Sequence, residues 1–350
     1  MIAYRKIQWS LIISFILYVF STNCVVSQTI YVDPIKGNDN STGKMEAPFQ
    51  TIHKAVNMAG GFSGKEPITI KLAPGLYLLN DQVVLDRSAN DLASADYTIE
   101  ALINPDDPSW LPTKMPVIES VSANNNNSGN FDHCAGFQIQ RGNTHFRGLK
   151  FVGNSNPGVK YYYAIERNFF PTVPLAGMEV SQCLFVGSRG SAPTQGAIFA
   201  QGKNIHINHC IFYGCKNAVL TFMSITGFAL TNSIIYGCYE GAIWFGKYSD
   251  FVFNNNIVAN NNCFWVSLKD YKSSYVFKNS VIVDNSFLMG LNDTPVAVDT
   301  QTKPTMENII TSGKVILDLR FDTVSRSFLH PVPGTTGSKI PAGLFITSIK

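Results

Sequence analysis

The sequence predicts an all-β solenoid, a parallel β-helix closed at its N-terminal end by a short helix. Three observations predict it. The first is an internal repeat. The segments Val180-Ser-Gln-Cys-Leu-Phe-Val-Gly187, Ile207-Asn-His-Cys-Ile-Phe-Tyr-Gly214, Leu230-Thr-Asn-Ser-Ile-Ile-Tyr-Gly237, Phe253-Asn-Asn-Asn-Ile-Val-Ala-Asn260 and Phe277-Lys-Asn-Ser-Val-Ile-Val-Asp284 follow one another at offsets of 27, 23, 23 and 24 residues. The second is that each copy alternates apolar and polar residues, the period of a strand, and breaks once at a small or polar pair where asparagine tolerates left-handed backbone. The third is a further short apolar strand after each copy: Ala197–Gln201, Ala218–Phe222, Ala242–Gly246, Cys263–Ser267 and Phe287–Leu291. Three short strands in a rung of about 23 residues is the arithmetic of a β-solenoid. Helical repeats fail, because these segments are β-branched and aromatic without a 3.6-residue period.

The elements follow in chain order. Arg5 and Lys6, the apolar run Leu11–Phe20, the polar stretch Ser21-Thr22-Asn23 and compact Val25 and Ser27 at the cleavage positions have the layout of a signal peptide over residues 1–27, and the run is too short to span a bilayer comfortably. Residues 28–350 are read as one domain. Thr51–Ala59 has helical spacing at Ile52, Ala55, Val56 and Ala59, and a helix there would cap strand edges that otherwise invite aggregation. Strand candidates continue at Ile68–Ala73, Gln82–Leu85, Tyr97–Leu102, Pro116–Val121 and Phe137–Gln140. A looser repeat copy begins at Phe146, so the clear repeats span 146–293. Residues 295–350 lose the pattern and read as a C-terminal cover.

Composition excludes several classes. At 350 residues, 45% hydrophobic and 15% charged, the chain has length and apolar content for a large core, and disorder is excluded. Lys plus Arg number 27 against 24 Asp plus Glu, so there is no electrostatic case for nucleic-acid binding. Six cysteines follow residue 27, and no CxxC pair supports a zinc site. Cys183 and Cys210 are equivalent in successive rungs, as are Cys215 and Cys238. Rung spacing of about 4.8 Å lies inside the range a disulfide accepts, yet stacked side chains run parallel and not toward each other. A reduced ladder and a bridge at either pair both fit, and Cys134 and Cys263 are expected to be free.

Tyr31-Val32-Asp33, Gly37-Asn38-Asp39, Gly43, Pro48-Phe49-x-Thr51-Ile52-x-x-Ala55, Ile68-x-Ile70 and Ala73-Pro74-Gly75-x-Tyr77 resemble the opening of many secreted right-handed parallel β-helix proteins of the pectate-lyase-like superfamily. That group includes polysaccharide lyases, glycoside hydrolases and pectin esterases. The resemblance implies a right-handed solenoid over nearly all of residues 28–350, an exported or cell-surface location, and a glycan face on the second strand and its flanking turns. No catalytic signature of one family accompanies it, and a fold does not settle an activity.

Aligning the rungs on that strand points Ile198, Val219, Ile243 and Phe264 inward and Phe199, Leu220, Trp244 and Trp265 outward. Phe199, Trp244 and Trp265 would then form an aromatic row suited to the apolar faces of sugar rings. Burial of the row as ordinary packing is the competing reading. Few charges lie nearby: Glu166 and Arg167 one rung earlier, Arg189 and Glu240 entering the strand, Lys247 and Lys269 leaving it, with Asp250 and Asp270 close by. A lyase acting on a uronate needs a base and a positive charge, or Ca²⁺, to stabilise the developing enolate. The resemblance implies that lysine or arginine can serve. A hydrolase needs two carboxylates roughly 5–10 Å apart, whereas Glu166 and Glu240 are three rungs apart, roughly 14 Å by strand spacing. A polysaccharide lyase is therefore favoured, with a hydrolase and a non-catalytic glycan-binding or adhesin β-helix as the other readings. His206 and His209 alternate on one strand as a surface and a turn residue, and Asp33, Asn38 and Asp39 carry oxygens that calcium favours. Asn40, Asn126 and Asn292 open N-glycosylation patterns.

Overall fold

The computed structural model describes residues 27–346 except 63–65, 87–94, 127–130, 168–174, 191, 222–224, 247, 270–274, 294–295 and 321–324. All of the expected signal segment except Ser27 lies outside them. Each full rung gives one strand to each of three sheets. Sheet one runs over ten strands from Gln28–Val32 to Thr305–Glu307, sheet two over eight from Gly75–Leu79 to Val281–Val283, and sheet three over nine from Val83–Leu85 to Ala297–Val298. In a typical rung Ala176–Ser181 lies in sheet one, Leu184–Val186 in sheet two and Gly196–Ala200 in sheet three, and Gly202–Asn208 returns to sheet one. The named strands pair in parallel except Ala297–Val298, which lies antiparallel against Phe287–Leu291.

Helix α1, Ile52–Ala59, forms where the spacing predicts it. Thr51 caps it by accepting from the Lys54 N–H, and Ile52, Ala55, Val56 and Ala59 are buried. Asp39 braces the same corner: its carboxylate accepts from the Gln50 and Thr51 N–H groups and from the Thr51 hydroxyl at 2.7–2.9 Å. Asp33 and Asn38 likewise accept from backbone N–H groups two or three residues on. These oxygens make turns and do not converge on a calcium site. Among the described residues no group of three or more His, Cys, Asp or Glu side chains is placed to hold a metal.

The corner between sheets one and two explains the asparagine content. Gln182, His209, Asn232, Asn255, Asn279 and Asn308 occupy it with φ between 46° and 56°, a region asparagine tolerates better than most residues. Their amides bond to the rung before: Asn255 donates to Asn232 at 3.1 Å and Asn308 to Asn279 at 2.8 Å. Inside the corner Cys183 and Cys210 are continued by Ser233, Asn256 and Ser280, linked by Cys210 N–H to Ser233 Oγ and Ser233 N–H to Asn256 Oδ1 at 3.0–3.1 Å. Phe151, Phe185 and Phe212 stack in the core with centroids 4.8 Å apart.

Residues 315–320 and 325–346 cover the outer face of sheet two. Leu184, Ile211, Ile234, Ile257 and Val281 form its row, and Val315, Leu317, Leu329 and Leu344 pack on them. The repeat runs one strand beyond residue 293, since Thr305–Glu307 still pairs with Val276–Lys278. His209 donates from Nδ1 to the Gly343 carbonyl at 2.9 Å, and Gln182 donates to the Leu344 carbonyl at 2.8 Å. Buried His330 accepts the Leu344 N–H at Nε2, 2.9 Å away, while Nδ1 donates to the Phe328 carbonyl.

All six described cysteines are free and buried. Burial pushes the Cys215 thiol up to about 12 and Cys263 up to about 11, so thiolate is scarce at neutral pH. Native protein treated with an alkylating reagent is expected to take no label at these six positions, and denatured, unreduced protein to take six. Mass spectrometry checks both, and a deficit of two labels would reveal a bridge.

Burial depresses His330 to about 4, with His209 adding to the depression and Asp318 opposing it. A histidine neutral when folded and near 6.5 when unfolded binds more protons in the unfolded state as pH falls. Its contribution is whole above about pH 6.5 and is lost by about pH 4, at most about 3 kcal/mol. Chemical denaturation across this window should show that slope, and His330→Gln should flatten it.

Candidate functional site

Sheet three presents two registers. Ile165, Ile198, Val219, Ile243, Trp265 and Met289 align on the inner side, and Glu166, Phe199, Leu220, Trp244, Val266 and Gly290 on the outer. The pairing of Glu166 with Phe199 is as the sequence predicts. The pairing of Trp265 is not. Four residues, Gly237 to Glu240, separate Tyr236 from Gly241, whereas three separate Tyr213 from Asn217 and three separate Ala259 from Cys263. Cys263 therefore stands level with the first strand residues Asn217 and Gly241, not with Ala218 and Ala242, and that shift of one residue exchanges the faces of the strand, so Trp265 faces inward beside Ile243. It is 0% exposed, with ring centroids 5.0–5.2 Å from Phe245, Tyr275 and Phe277. Phe264 is also buried, against Phe253 and Phe277.

The remaining aromatic residues do not form an open platform. Phe199 is 2% exposed and lies 4.9 Å from the Tyr163 ring. Trp244 is 8% exposed, with its indole folded over Gly241 and its Nε1–H bonded to Asn217 Oδ1 at 2.6 Å. Tyr163, Phe199, Leu220, Trp244, Cys263 and Val266 form one buried cluster, with Val296 packed against it. The competing reading, packing, holds for this row.

The charged candidates separate by exposure. Glu166 is sealed: its Oε2 accepts from Asn126 Nδ2 at 2.8 Å and lies 2.9 Å from His133 Nε2, and both partners are buried. Asn126 is thereby withdrawn as a glycosylation acceptor. Arg167 is also buried, its Nη2 directed to the Lys203 carbonyl at 3.4 Å, and desolvation lowers its guanidinium to about 10. Neither group reaches a substrate at the surface, which corrects both assignments. Lys269 is exposed at the exit of its strand, the end opposite to Arg189 and Glu240. Lys247, Asp270 and the Asp250 side chain lie outside the described residues.

Arg189 and Glu240 do meet, through residues that sequence reasoning missed. The Arg189 guanidinium lies over the Tyr239 ring at 4.2 Å. Glu240 pairs with Lys216 Nζ at 3.4 Å and accepts from Asn217 Nδ2 at 2.8 Å. Backbone bonds from Tyr239 to Cys215 and from Glu240 to Lys216 fix these side chains in adjacent rungs. Tyr239 is partly buried, which raises its phenol, while Arg189 opposes the rise. Tyr163 is raised chiefly by burial, with Glu166, Tyr161 and Glu240 adding, so its hydroxyl feels both carboxylates. The 23-residue offset places Lys216 beside Tyr239 and was the signal available for it. His133, 33 residues before Glu166, has no local signal.

Truncation of the two tryptophans distinguishes their roles. Trp265→Ala should cost about 3–5 kcal/mol, the range for large core truncations, read as a fall in denaturation midpoint. Trp244→Ala should cost less, since its indole packs at the margin of its cluster.

Residues 176–314 match the family model described as right handed beta helix region. No curated protein matches the sequence. Among solved structures the chain is similar to a rhamnogalacturonan lyase (10% identity, 91% of this chain and 99% of that one, TM-score 0.37). It is also similar to pectate lyase Pel9A (14%, 90% and 92%, 0.38) and to a pectin methylesterase from Aspergillus niger (12%, 81% and 85%, 0.38). The observed strand order and the matched region bear out the expected fold, a right-handed parallel β-helix.

Proposed function

We propose that the protein is an exported, carbohydrate-active β-helix that acts on a uronate-containing glycan as a polysaccharide lyase. The observation that carries this reading is the meeting of two cations, a tyrosine and a fixed carboxylate at one turn edge: Arg189 over Tyr239, and Lys216 beside Glu240. In this reading Arg189 neutralises the uronate carboxylate, which lowers the cost of forming the enolate. Glu240, held by Asn217 and Lys216, accepts the proton from the carbon beside that carboxylate. The released electron pair forms the new carbon–carbon double bond, the bond to the leaving glycosidic oxygen breaks, and that oxygen takes up a proton. A hydrolase would need a second reachable carboxylate, and Glu166 is sealed. For the same reason the aromatic row is withdrawn from the proposal, which rests on the turn edge alone.

A second reading, glycan binding without catalysis, is favoured by the direct pairing of Lys216 with Glu240, which leaves each partly neutralised. Incubation with polygalacturonate separates the two. A lyase creates an unsaturated product that absorbs in the ultraviolet, and Arg189→Ala is expected to lower its rate at least about tenfold, roughly the loss of one charge-assisted contact. Binding without product would overturn the lyase reading and leave the binding one. Neither binding nor product on any uronate polymer would overturn both.

A further inference from the structure

We propose that Asn217, itself locked by the Trp244 indole, is a positioning residue that sets the Glu240 carboxylate for glycan at this edge, an inference that rests on the function proposed above. Asn217 is fully buried at the start of its strand in sheet three. Its amide uses every hydrogen-bonding position it has. Nδ2 donates to the Gln195 carbonyl at 2.9 Å and to Glu240 Oε2 at 2.8 Å. Oδ1 accepts from the Gly241 N–H at 3.0 Å and from Trp244 Nε1–H at 2.6 Å. This pattern fixes the orientation of the amide. Flipped, it would turn its oxygen toward a carbonyl and a carboxylate, and its NH₂ toward two N–H donors.

Gly241 is a second, independent observation. A Cβ at that position would lie 2.5 Å from Trp244 Nε1 and 2.9 Å from Val266 Cγ2. The missing side chain is thus the space through which the indole reaches Asn217. Asn217 therefore joins three rungs: its own, that of Glu240 and Trp244 above it, and the Gln195 carbonyl below. Lys216 holds the other oxygen of Glu240 from outside. The carboxylate is left with one orientation, fixed from beneath by a neutral donor and from the rim by a cation.

The test exchanges that donor. Asn217→Asp keeps shape and the acceptor for Trp244 but sets a second carboxylate against Glu240. Two carboxylates this close share a proton, which raises one of their pKa values. Polygalacturonate affinity is expected to fall about tenfold near pH 8 and to recover toward the wild-type value near pH 5, where the shared proton restores a donor. A merely structural role would show the same rescue in folding, so affinity is compared only where circular dichroism shows the variant folded at both pH values. The Trp244 indole N–H resonance, followed by NMR, should keep its position in this variant and shift in Gly241→Ala. Should Asn217→Asp fail to fold, the double variant N217D/E240Q restores a donor facing an acceptor with the poles exchanged, and should fold and show no rise in affinity between pH 8 and pH 5. The proposal is overturned if Asn217→Asp binds like wild type at both pH values. It is also overturned if lost binding is not rescued by acid while the indole resonance is unchanged, or if the double variant folds and its affinity still rises toward pH 5. Wild-type protein that binds no uronate polymer would instead overturn the proposed function, and the binding role of Asn217 with it; the indole readout would still report the clamp.

Discussion

Stacking at about 4.8 Å is the constraint on which the rest of this molecule depends. Because each rung lies directly on the last, a residue chosen once must be compatible with its equivalents above and below. That is why like stacks on like: three phenylalanines in the core, amides along the left-handed corner, small polar or thiol groups just inside it. A left-handed corner costs a β-branched residue more than asparagine, and a carboxamide there can both donate to and accept from its neighbours. The corner thus selects asparagine twice, for backbone and for side chain. The C-terminal cover uses the same ladder, since Gln182 and His209 replace asparagine where Leu344 and Gly343 need donors.

Much of the fold was legible because this constraint writes itself into the chain as a period. The repeat offsets, the strand alternation, helix α1 and the turn position of His209 all follow from residues that recur at fixed spacing or sit in helical phase. The facing of Trp265 was not legible. Alignment by composition matched Ala242 with Cys263, both small residues at a strand start, whereas hydrogen bonding matches Ile243 with Trp265. Side-chain pattern alone cannot count residues in an irregular turn, and a strand buried on both faces has no polar face to reveal its phase. Glu166 and Arg167 were placed in the correct strand yet misjudged in role. Their burial depends on what lies over them, and His133 and Asn126 come from a distant insertion that no repeat announces.

The outer face of sheet three shows how burial decides which charges remain chemically useful. Its central row is apolar and closed, and its carboxylate, Glu166, is held at one oxygen by two buried neighbours. A buried ion needs such partners because its desolvation is otherwise too costly. The same partners remove it from any substrate. Charges on the turns escape this exchange: Glu240 and Lys216 are about a quarter exposed, so water still screens them and a ligand can still reach them. Reachable chemistry is confined to the turn edge because the sheet has no room for it.

One turn links that edge to the clamp. The turn from Gly237 to Glu240 is a residue longer than those in the rungs on either side, while its neighbouring strands stay in register. The surplus residue lies in the turn that carries Tyr239 and Glu240. There Tyr239 meets Arg189, which reaches up from two rungs below, and Glu240 pairs with Lys216. Gly241, the first residue of the resumed strand, lies against the Trp244 indole, where any side chain would collide. The following turn returns to three residues, so Cys263 takes the first strand position and Trp265 turns inward. An insertion that a repeat-based alignment treats as an irregularity thus sits where the charged edge meets the clamp on Asn217.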